Sequence, residues 1–319
     1  FSMNLSQLYY FKKLSEIKHF NKAAKELYIT QPTLSNSITK LEKELGVSLF
    51  SREQNGVSLT EDGVSFERHI SVALSEIDRA VELMHGRGKE SGLIRISTTD
   101  SIQRDYLPSY LSTFQQECKE PIRYEVSIAN TLESIKELRE GKADVAFCTA
   151  LPLEDLESIP FMTQNLVAYV HIDHPMAQKG RITLKELELS GSSLVTYGKH
   201  TLVMNRLVGN ALRKAGLSFV EKFSTEIDAA TLIAIDPQLI GIALDTTEGI
   251  LFPSVVRIPI EEFSQAFHLV SIVFKKSVPR SDRVFSFLSF SQNHSLLTSC
   301  ETPLELAYWD SNDRKKCGL

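Results

Sequence analysis

Cysteine is scarce in this chain of 319 residues, and its four members (Cys118, Cys148, Cys300, Cys317) stand far apart, with no C-x-x-C pair and no metal-ligand spacing. That usage argues against a disulfide framework and fits reduced thiols in a cytoplasm. No apolar run approaches the roughly 18 residues that a membrane span needs. The N-terminus carries no apolar stretch flanked by basic residues, so no secretory signal is expected, and Phe1 and Ser2 ahead of Met3 read as a cloning remnant. The eight histidines form no H-E-x-x-H and no ligand cluster, and P-loop, G-x-S-x-G and G-x-G-x-x-G motifs are all missing. His171 and His174 fall at the end of an expected strand, where they face opposite ways and read as structural. An enzyme, a metal site and a bound cofactor are therefore not expected.

Hydrophobic content of 42% and charged content of 24% are ordinary globular values. The length allows two or three domains. Charge is unevenly spread. Residues 1–52 hold eight Lys/Arg and four Glu, a net +4 in a chain whose total is −5, which leaves −9 for the rest. A basic head on an acidic body points to a polyanion as the partner of the head.

The head has helical periodicity. Leu5, Leu8, Tyr9, Phe11, Leu14 and Ile17 mark a first helix. Asn21 is placed to cap a second, whose inward face is Ala23, Ala24 and Leu27, and Tyr28-Ile29-Thr30 forms the turn. Thr30 is the expected N-cap of a third helix, with Pro32 in its first turn, a buried stripe of Leu34, Ile38, Leu41 and Leu45, and Gly46 as the C′ residue. Two short helices joined by a tight turn form a helix-turn-helix, whose second helix enters the major groove. Its outward residues are short polar donors and acceptors with one lysine, suited to base edges and phosphates. Leu49–Arg52, then Asn55-Gly56, then Val57–Leu59 read as the hairpin of a winged helix.

"FNKAAKELYITQPTLSNSITKLEKELGVSLFSR" followed by "LTEDG" resembles the N-terminal domain of LysR-type transcriptional regulators. The resemblance rests on the Ala-Ala pair, Gln31-Pro32, Ser35, "LEKELGVSLF" with Arg52, Leu59-Thr60 and Gly63, and it extends from Met3 to about Gln292. The DNA-contacting positions assigned on motif and resemblance together are Lys22, Thr30, Gln31, Pro32, Thr33, Ser35, Asn36, Ser37, Lys40 and Arg52. Asn36 stands where family members often carry a longer basic or polar residue, so the operator sequence does not transfer from relatives.

Thr60 is set to cap a long helix with Glu61 and Asp62 in its first turn, where the helix dipole favours acids. Phe66, Ile70, Leu74, Ile77, Val81 and Met84 form a seam about three heptads long, for which a second copy of the chain is the economical partner. In the family this is the dimerising linker helix. "HGRGKESG" (85–92) then reads as a hinge.

From Leu93 the pattern changes to strands alternating with helices, which implies a parallel-rich α/β sheet. Expected strands are LIRIST, YEVSIA, DVAFCTA, LVAYVH, SLVTY, LIGIALD, VVRIPI and HLVSIVFK. Helices are expected near 106–117, 132–140, 202–215 and 228–234. The resemblance implies two Rossmann-like subdomains, similar to a periplasmic binding protein, with crossings near 161–165 and 264–268. Open α/β sheets bind ligands at the carboxyl ends of their strands. That rule, together with loop positions in the family, marks Thr99, Asp100, Ser101, Ile102, Asn130, Thr131, Thr149, Tyr197, His200, Thr201, Asp228 and Asp245 as the effector set. Helix capping is the competing role for each hydroxyl or Asp. Lys199 is the lone cation near these loops, and the three aspartates leave room for an amine-bearing, sugar-like or neutral effector.

The expected protein is an α/β regulator with a winged helix-turn-helix (3–60), a dimerising helix and hinge (61–92) and an effector domain (93–292). Within the last, subdomain I covers about 93–163 and 267–292, and subdomain II about 164–266. Residues 293–319 depart from the family; "PLELAYW" in this tail is either a loose extension or a docking segment. Expected partners are double-stranded DNA, a small-molecule effector, further copies in a homodimer or homotetramer, and RNA polymerase, all in the cytoplasm and without a membrane. The alternatives are a thiol-based redox regulator of the same fold, which Cys118 and Cys148 serve poorly for want of basic neighbours, and a solute-binding protein, which would lack the basic head.

Overall fold

A computed structural model of the chain describes residues 3–53, 56–85, 92–118, 121–245, 252–264, 266–276 and 281–297. The chain divides near residue 90 into two compact units, a head and a body.

In the head, α1 (Leu5–Ile17) starts on a capping box. Gln7 N–H donates to Asn4 Oδ1 at 3.0 Å, and Asn4 N–H donates to Gln7 Oε1 at 2.9 Å. The short α2 (Phe20–Glu26) begins two residues earlier than the Asn21 cap implies; His19 is its N-cap residue, without a side-chain cap bond. Asn21 therefore sits inside the first turn. Tyr28 takes a positive φ of 55° in the turn that follows. Thr30 then caps α3 (Gln31–Leu45), and Gly46 ends it at φ +74°, both as expected. The wing is β1 (Phe50–Glu53) paired antiparallel with β2 (Gly56–Leu59). Glu42 on α3 fixes the wing, because its Oε1 accepts from Leu49 N–H at 2.7 Å and Phe50 N–H at 3.1 Å.

The long helix α4 (Glu61–His85) is capped by Thr60, whose Oγ1 accepts from Gly63 N–H at 2.9 Å. Gly63 has a steric reason to be glycine: a Cβ there would lie 2.0 Å from the Leu49 carbonyl oxygen. The first half of α4 corrects the expected dimer seam. Leu74 is fully buried and Ile70 is 8% exposed, within one core with Phe11, Leu14, Leu34, Ile38, Leu41 and Leu49, and Phe66 packs edge-on against Phe11 with ring centroids 5.1 Å apart. The winged helix thus consumes half of the seam itself. Ile77 and Val81 remain 38% and 48% exposed. The side chains of Met84 and Arg52 and the hinge at 86–91 lie outside the described residues.

The body contains two five-stranded sheets. Sheet I takes β3 (Leu93–Thr98), β4 (Arg123–Ile128), β5 (Val145–Thr149) and β6 (Leu156–Gln164). Its helices are α5 (Asp100–Asp105), α6 (Leu107–Glu117) and α7 (Thr131–Arg139). Sheet II takes β7 (Leu166–His171), β8 (Ser193–Tyr197), β9 (Val220–Phe223), β10 (Leu239–Leu244) and β11 (Val255–Pro259). Its helices are α8 (Leu184–Leu189), α9 (Leu202–Lys214) and α10 (Glu226–Ile235). The chain returns to sheet I as β12 (His268–Lys275) and ends in α11 (Asp282–Asn293).

The strand orders are β4-β3-β5-β12-β6 and β11-β7-β10-β8-β9. Each sheet runs four strands one way and a single strand the other, in keeping with the parallel-rich pattern expected. β12 runs antiparallel to β5 and β6, and β7 runs antiparallel to β10 and β11. The reason is connectivity: β12 arrives from the other sheet and lies against the outgoing β6. In sheet I the core is aromatic, with Tyr110 at 4.9 Å from Phe161 and Phe114 at 5.1 Å from Phe287. Beyond α11, Leu296 N–H donates to the Phe161 carbonyl at 2.8 Å; residues 298–319, with most of the unusual tail, lie outside the described residues.

The partition of α4 makes a stability prediction. Leu74→Ala should cost about 2–5 kcal/mol of head stability by opening a cavity. Val64→Ala, on the exposed side of the same helix, should stay within about 0.5 kcal/mol. Chemical denaturation of the two variants checks this, and equal losses would contradict the assignment.

Candidate functional site

Two surfaces concentrate the expected residues. On the head, α3 buries Leu34, Ile38 and Leu41 and so turns the intervening positions outward. Thr30, Pro32, Thr33, Asn36 and Lys40 are exposed, as is Lys22 on α2, while Gln31, Ser35 and Ser37 are half-buried. Thr30 and Thr33 share a hydroxyl hydrogen bond of 2.7 Å, which holds both at the start of the helix. The backbone of Arg52 lies in β1 of the wing.

In the body, a cavity of about 230 Å³ lies between the two sheets. It sits below the ~300–1,000 Å³ usual for drug-sized ligands, so its occupant is small. Thr99, Asp100, Ser101, Asn130, Thr131, Thr149, Tyr197 and Thr201 from the expected set line it. Four expected residues do not. Ile102 follows Ser101 around a helical turn into the core of sheet I, where it is 1% exposed. His200 lies exposed in the short 3-10 turn Lys199–Thr201. Asp228 closes a capping box with Thr225, its Oδ2 accepting from Thr225 N–H at 3.0 Å. Asp245 is held by Arg257 Nη1 at 2.9 Å.

Other lining residues escaped the sequence reading, chiefly Gln164, Glu226 and His268, with apolar Ile128, Leu202, Val203, Met204, Leu244 and Val270. Glu226 belongs to a buried pair. Tyr197 Oη donates to its Oε1 at 2.5 Å and accepts from Leu244 N–H at 3.0 Å. Burial pushes the Glu226 carboxyl above the usual range, against the opposing effect of the Tyr197 bond, and the Asp100 carboxylate pushes it further up. Burial first, and then the Glu226 charge, pushes the Tyr197 phenol well above its ordinary value. Asp100 itself is paired with Arg104 Nη1 at 3.1 Å.

The opposite side of the cavity is a polar relay. Thr131 Oγ1 donates to Thr149 Oγ1 at 3.3 Å. Thr149 Oγ1 lies 2.9 Å from His268 Nε2, and His268 Nδ1 lies 3.1 Å from Gln164 Oε1. Burial lowers the His268 imidazolium to about 4, so the ring is neutral near pH 7. Cys148, which also lines the cavity, has its thiol pushed up to about 12 by burial, and Cys118 is likewise raised by burial. Among the described residues no group of three or more His, Cys, Asp or Glu is placed to hold a metal ion, and no helix is long and apolar enough to cross a membrane.

Comparison with known proteins follows the same division. Residues 5–64 match the family described as bacterial regulatory helix-turn-helix protein, lysR family, and residues 87–295 match the LysR substrate binding domain. The chain is 31% identical over 187 residues to the uncharacterized HTH-type transcriptional regulator YybE of Bacillus subtilis (58% of this chain, 64% of that protein). It is 28% identical over 219 residues to the hydrogen peroxide-inducible genes activator of Haemophilus influenzae (68% of this chain, 69% of that protein). The match to YybE therefore spans a little under two thirds of that relative. Among solved structures, a full-length OxyR variant from Pseudomonas aeruginosa has a TM-score of 0.64 at 21% identity, covering 95% of this chain and 100% of that one. Full-length CbnR complexed with its target DNA has a TM-score of 0.65 at 19% identity, covering 92% and 100%. At these identities both show the shared fold.

The relay implies an acid-sensitive body. His268 takes up a proton near 6.5 when unfolded and only near 4 when folded. As pH falls from about 6.5 towards 4 the unfolded chain binds a proton that the folded chain refuses, so stability is lost with falling pH, on the order of 3 kcal/mol in full. His268→Gln should flatten the pH dependence of the body's melting temperature across that window. An unchanged slope would remove His268 as its source.

Proposed function

The chain belongs to the LysR family of transcriptional regulators, and from that premise we propose that it is a sequence-specific DNA-binding regulator whose promoter engagement is switched by a small molecule bound between the two sheets of its body. The observation that carries the reading is the union in one chain of an outward polar face on α3 with a cavity lined from both sheets. Thr33, Ser35, Asn36 and Ser37 would read base edges, and Lys22, Lys40 and Arg52 would meet phosphates. Effector binding would act by population shift, favouring the arrangement of the two sheets in which it makes more contacts. DNA is the partner of the head; RNA polymerase is the expected partner at the promoter, and the cytoplasm is the expected setting. None of these roles calls for catalysis.

The redox alternative has a relative named for hydrogen peroxide behind it. Both thiols among the described residues, Cys118 and Cys148, are nonetheless shifted away from the reactive thiolate by burial. That favours a bound effector over thiol chemistry. Assembly falls to the exposed part of α4, where Ile77 and Val81 are free of the head's own core, and a homodimer or a homotetramer built from it would carry paired heads.

Two predictions test this reading. Asn36→Ala should cost about 1–3 kcal/mol on the preferred duplex and relax base preference at one position. Lys40→Ala should weaken all duplexes alike and lower the salt slope by about one. Fluorescence anisotropy over a salt series separates these effects, and unchanged affinity in both variants would refute the docking. Ile77→Glu combined with Val81→Glu should leave the head folded and dissociate the oligomer. Sedimentation showing the original mass would place the interface elsewhere.

A further inference from the structure

The turn between α2 and α3 holds a residue that its backbone does not favour. Tyr28 N–H donates to the Lys25 carbonyl at 3.2 Å and Ile29 N–H to the Ala24 carbonyl at 3.0 Å. These are the two bonds of a Schellman motif, whose C′ residue takes the left-handed conformation and is usually glycine. The same pair closes α9. There Gly216 N–H donates to the Arg213 carbonyl and Leu217 N–H to the Leu212 carbonyl, both at 3.0 Å, and Gly216 sits at φ 77°. At the end of α2 the equivalent residue is Tyr28, at φ 55°. A residue with a Cβ costs free energy in that conformation, the more so when its side chain is bulky.

Packing does not offset the cost. Leu27 and Ile29 turn inward against the head's core, while Tyr28 between them turns outward and is 96% exposed. A strained residue whose side chain does nothing for its own fold points to a role outside it. Its place identifies the partner. In a helix-turn-helix the first helix crosses the DNA backbone and the N-terminal residues of the second contact base edges, so the turn joins the part over the backbone to the part in the groove. Thr30, the N-cap of α3, follows two residues after Tyr28, no more than about 7 Å along the chain. The major groove is about 12 Å wide, which leaves the Tyr28 side chain within reach of its edge. The exposed Lys22 and Lys25 on α2 favour phosphate on this side, and the neighbouring acid, Glu26, is already answered by Lys13 at 3.5 Å.

We propose, building on the DNA reading of the head, that Tyr28 is a further DNA-backbone contact, its hydroxyl donating a hydrogen bond to a phosphate oxygen at the edge of the groove that α3 enters. Tyrosine is a neutral donor to that anion. It therefore positions the head without reading a base and without neutralising a phosphate, so it releases no counterion. That combination sets it apart from both Asn36 and Lys40.

Tyr28→Phe and Tyr28→Gly are compared with the wild-type full-length protein on two duplexes, one selected by this protein from a random pool and the other a scramble of it. Fluorescence anisotropy over a salt series gives the affinity and the salt slope. Tyr28→Phe should bind both duplexes about tenfold more weakly with the wild-type slope. Tyr28→Gly should do the same while melting no lower than wild type, because glycine suits the turn. Unchanged affinity in Tyr28→Phe, a loss confined to the selected duplex, or an altered slope would each overturn the inference. A Tyr28→Gly protein that melts lower would also overturn it, by returning the ring to the fold. Lys40→Ala in the same titrations separates the two possible failures. If Lys40→Ala weakens binding and Tyr28→Phe does not, the DNA reading of the head stands and this contact falls. If the wild-type protein bound neither duplex, both would fall.

Discussion

Two neighbouring strand ends constrain everything in the body. The chain leaves sheet I through the end of β6 and re-enters it through the start of β12, and these ends pair as Gln164 opposite His268. The pairing keeps the crossings side by side, so the sheets are joined at one place, and the strand ends and helix starts of both sheets face a common space. It also buries two polar side chains, each of which has to be satisfied. The Thr131–Thr149–His268–Gln164 relay meets that demand almost completely. The Gln164 amide N–H at its end is buried without a partner among the described residues.

The head obeys a different constraint, the scarcity of apolar surface in a domain of about sixty residues. Its three short helices and hairpin leave a core that α4 completes with Phe66, Ile70 and Leu74. The same helix therefore serves two purposes along its length, core first and exposed seam afterwards. Glu42 ties the wing to α3, so the helix offered to DNA and the hairpin beside it are held as one piece.

Much of this was legible in the sequence because it depends on local chemistry. The Thr30 cap, Pro32 and Gly46 bracket α3 without reference to anything distant, and the β-branched runs announce most strands. Threonines and serines after strand ends pointed to Thr99, Ser101, Thr131, Thr149 and Thr201, since the rule for open α/β sheets needs only the order of elements. What stayed hidden depends on register and distant partners. Gln164 closes a nine-residue strand with an irregular pattern interrupted by Pro160, and nothing local distinguishes it from its neighbours. Asp228 and Glu226 lie two residues apart at one helix start, yet one caps the helix while the other lines the cavity. Asp245 meets Arg257 twelve residues on, a pairing visible only after sheet II has formed. Likewise, α4 presents one unbroken stripe, and only the packing of Phe11 shows where the core ends and the seam begins.

The central claim is that one chain joins DNA reading in its head to ligand binding in its body. Coupled equilibria are reciprocal: a ligand that changes DNA affinity must have its own affinity changed by DNA to the same degree. The most direct measurement is selection of duplex DNA from a random pool by the full-length protein, run with and without a molecule shown to occupy the cavity. The account predicts enrichment of paired half-sites in inverted orientation, with affinity or half-site spacing shifted by the ligand. Recovery of sequences no better than chance, or an identical selected site bound equally well in both conditions, would contradict it.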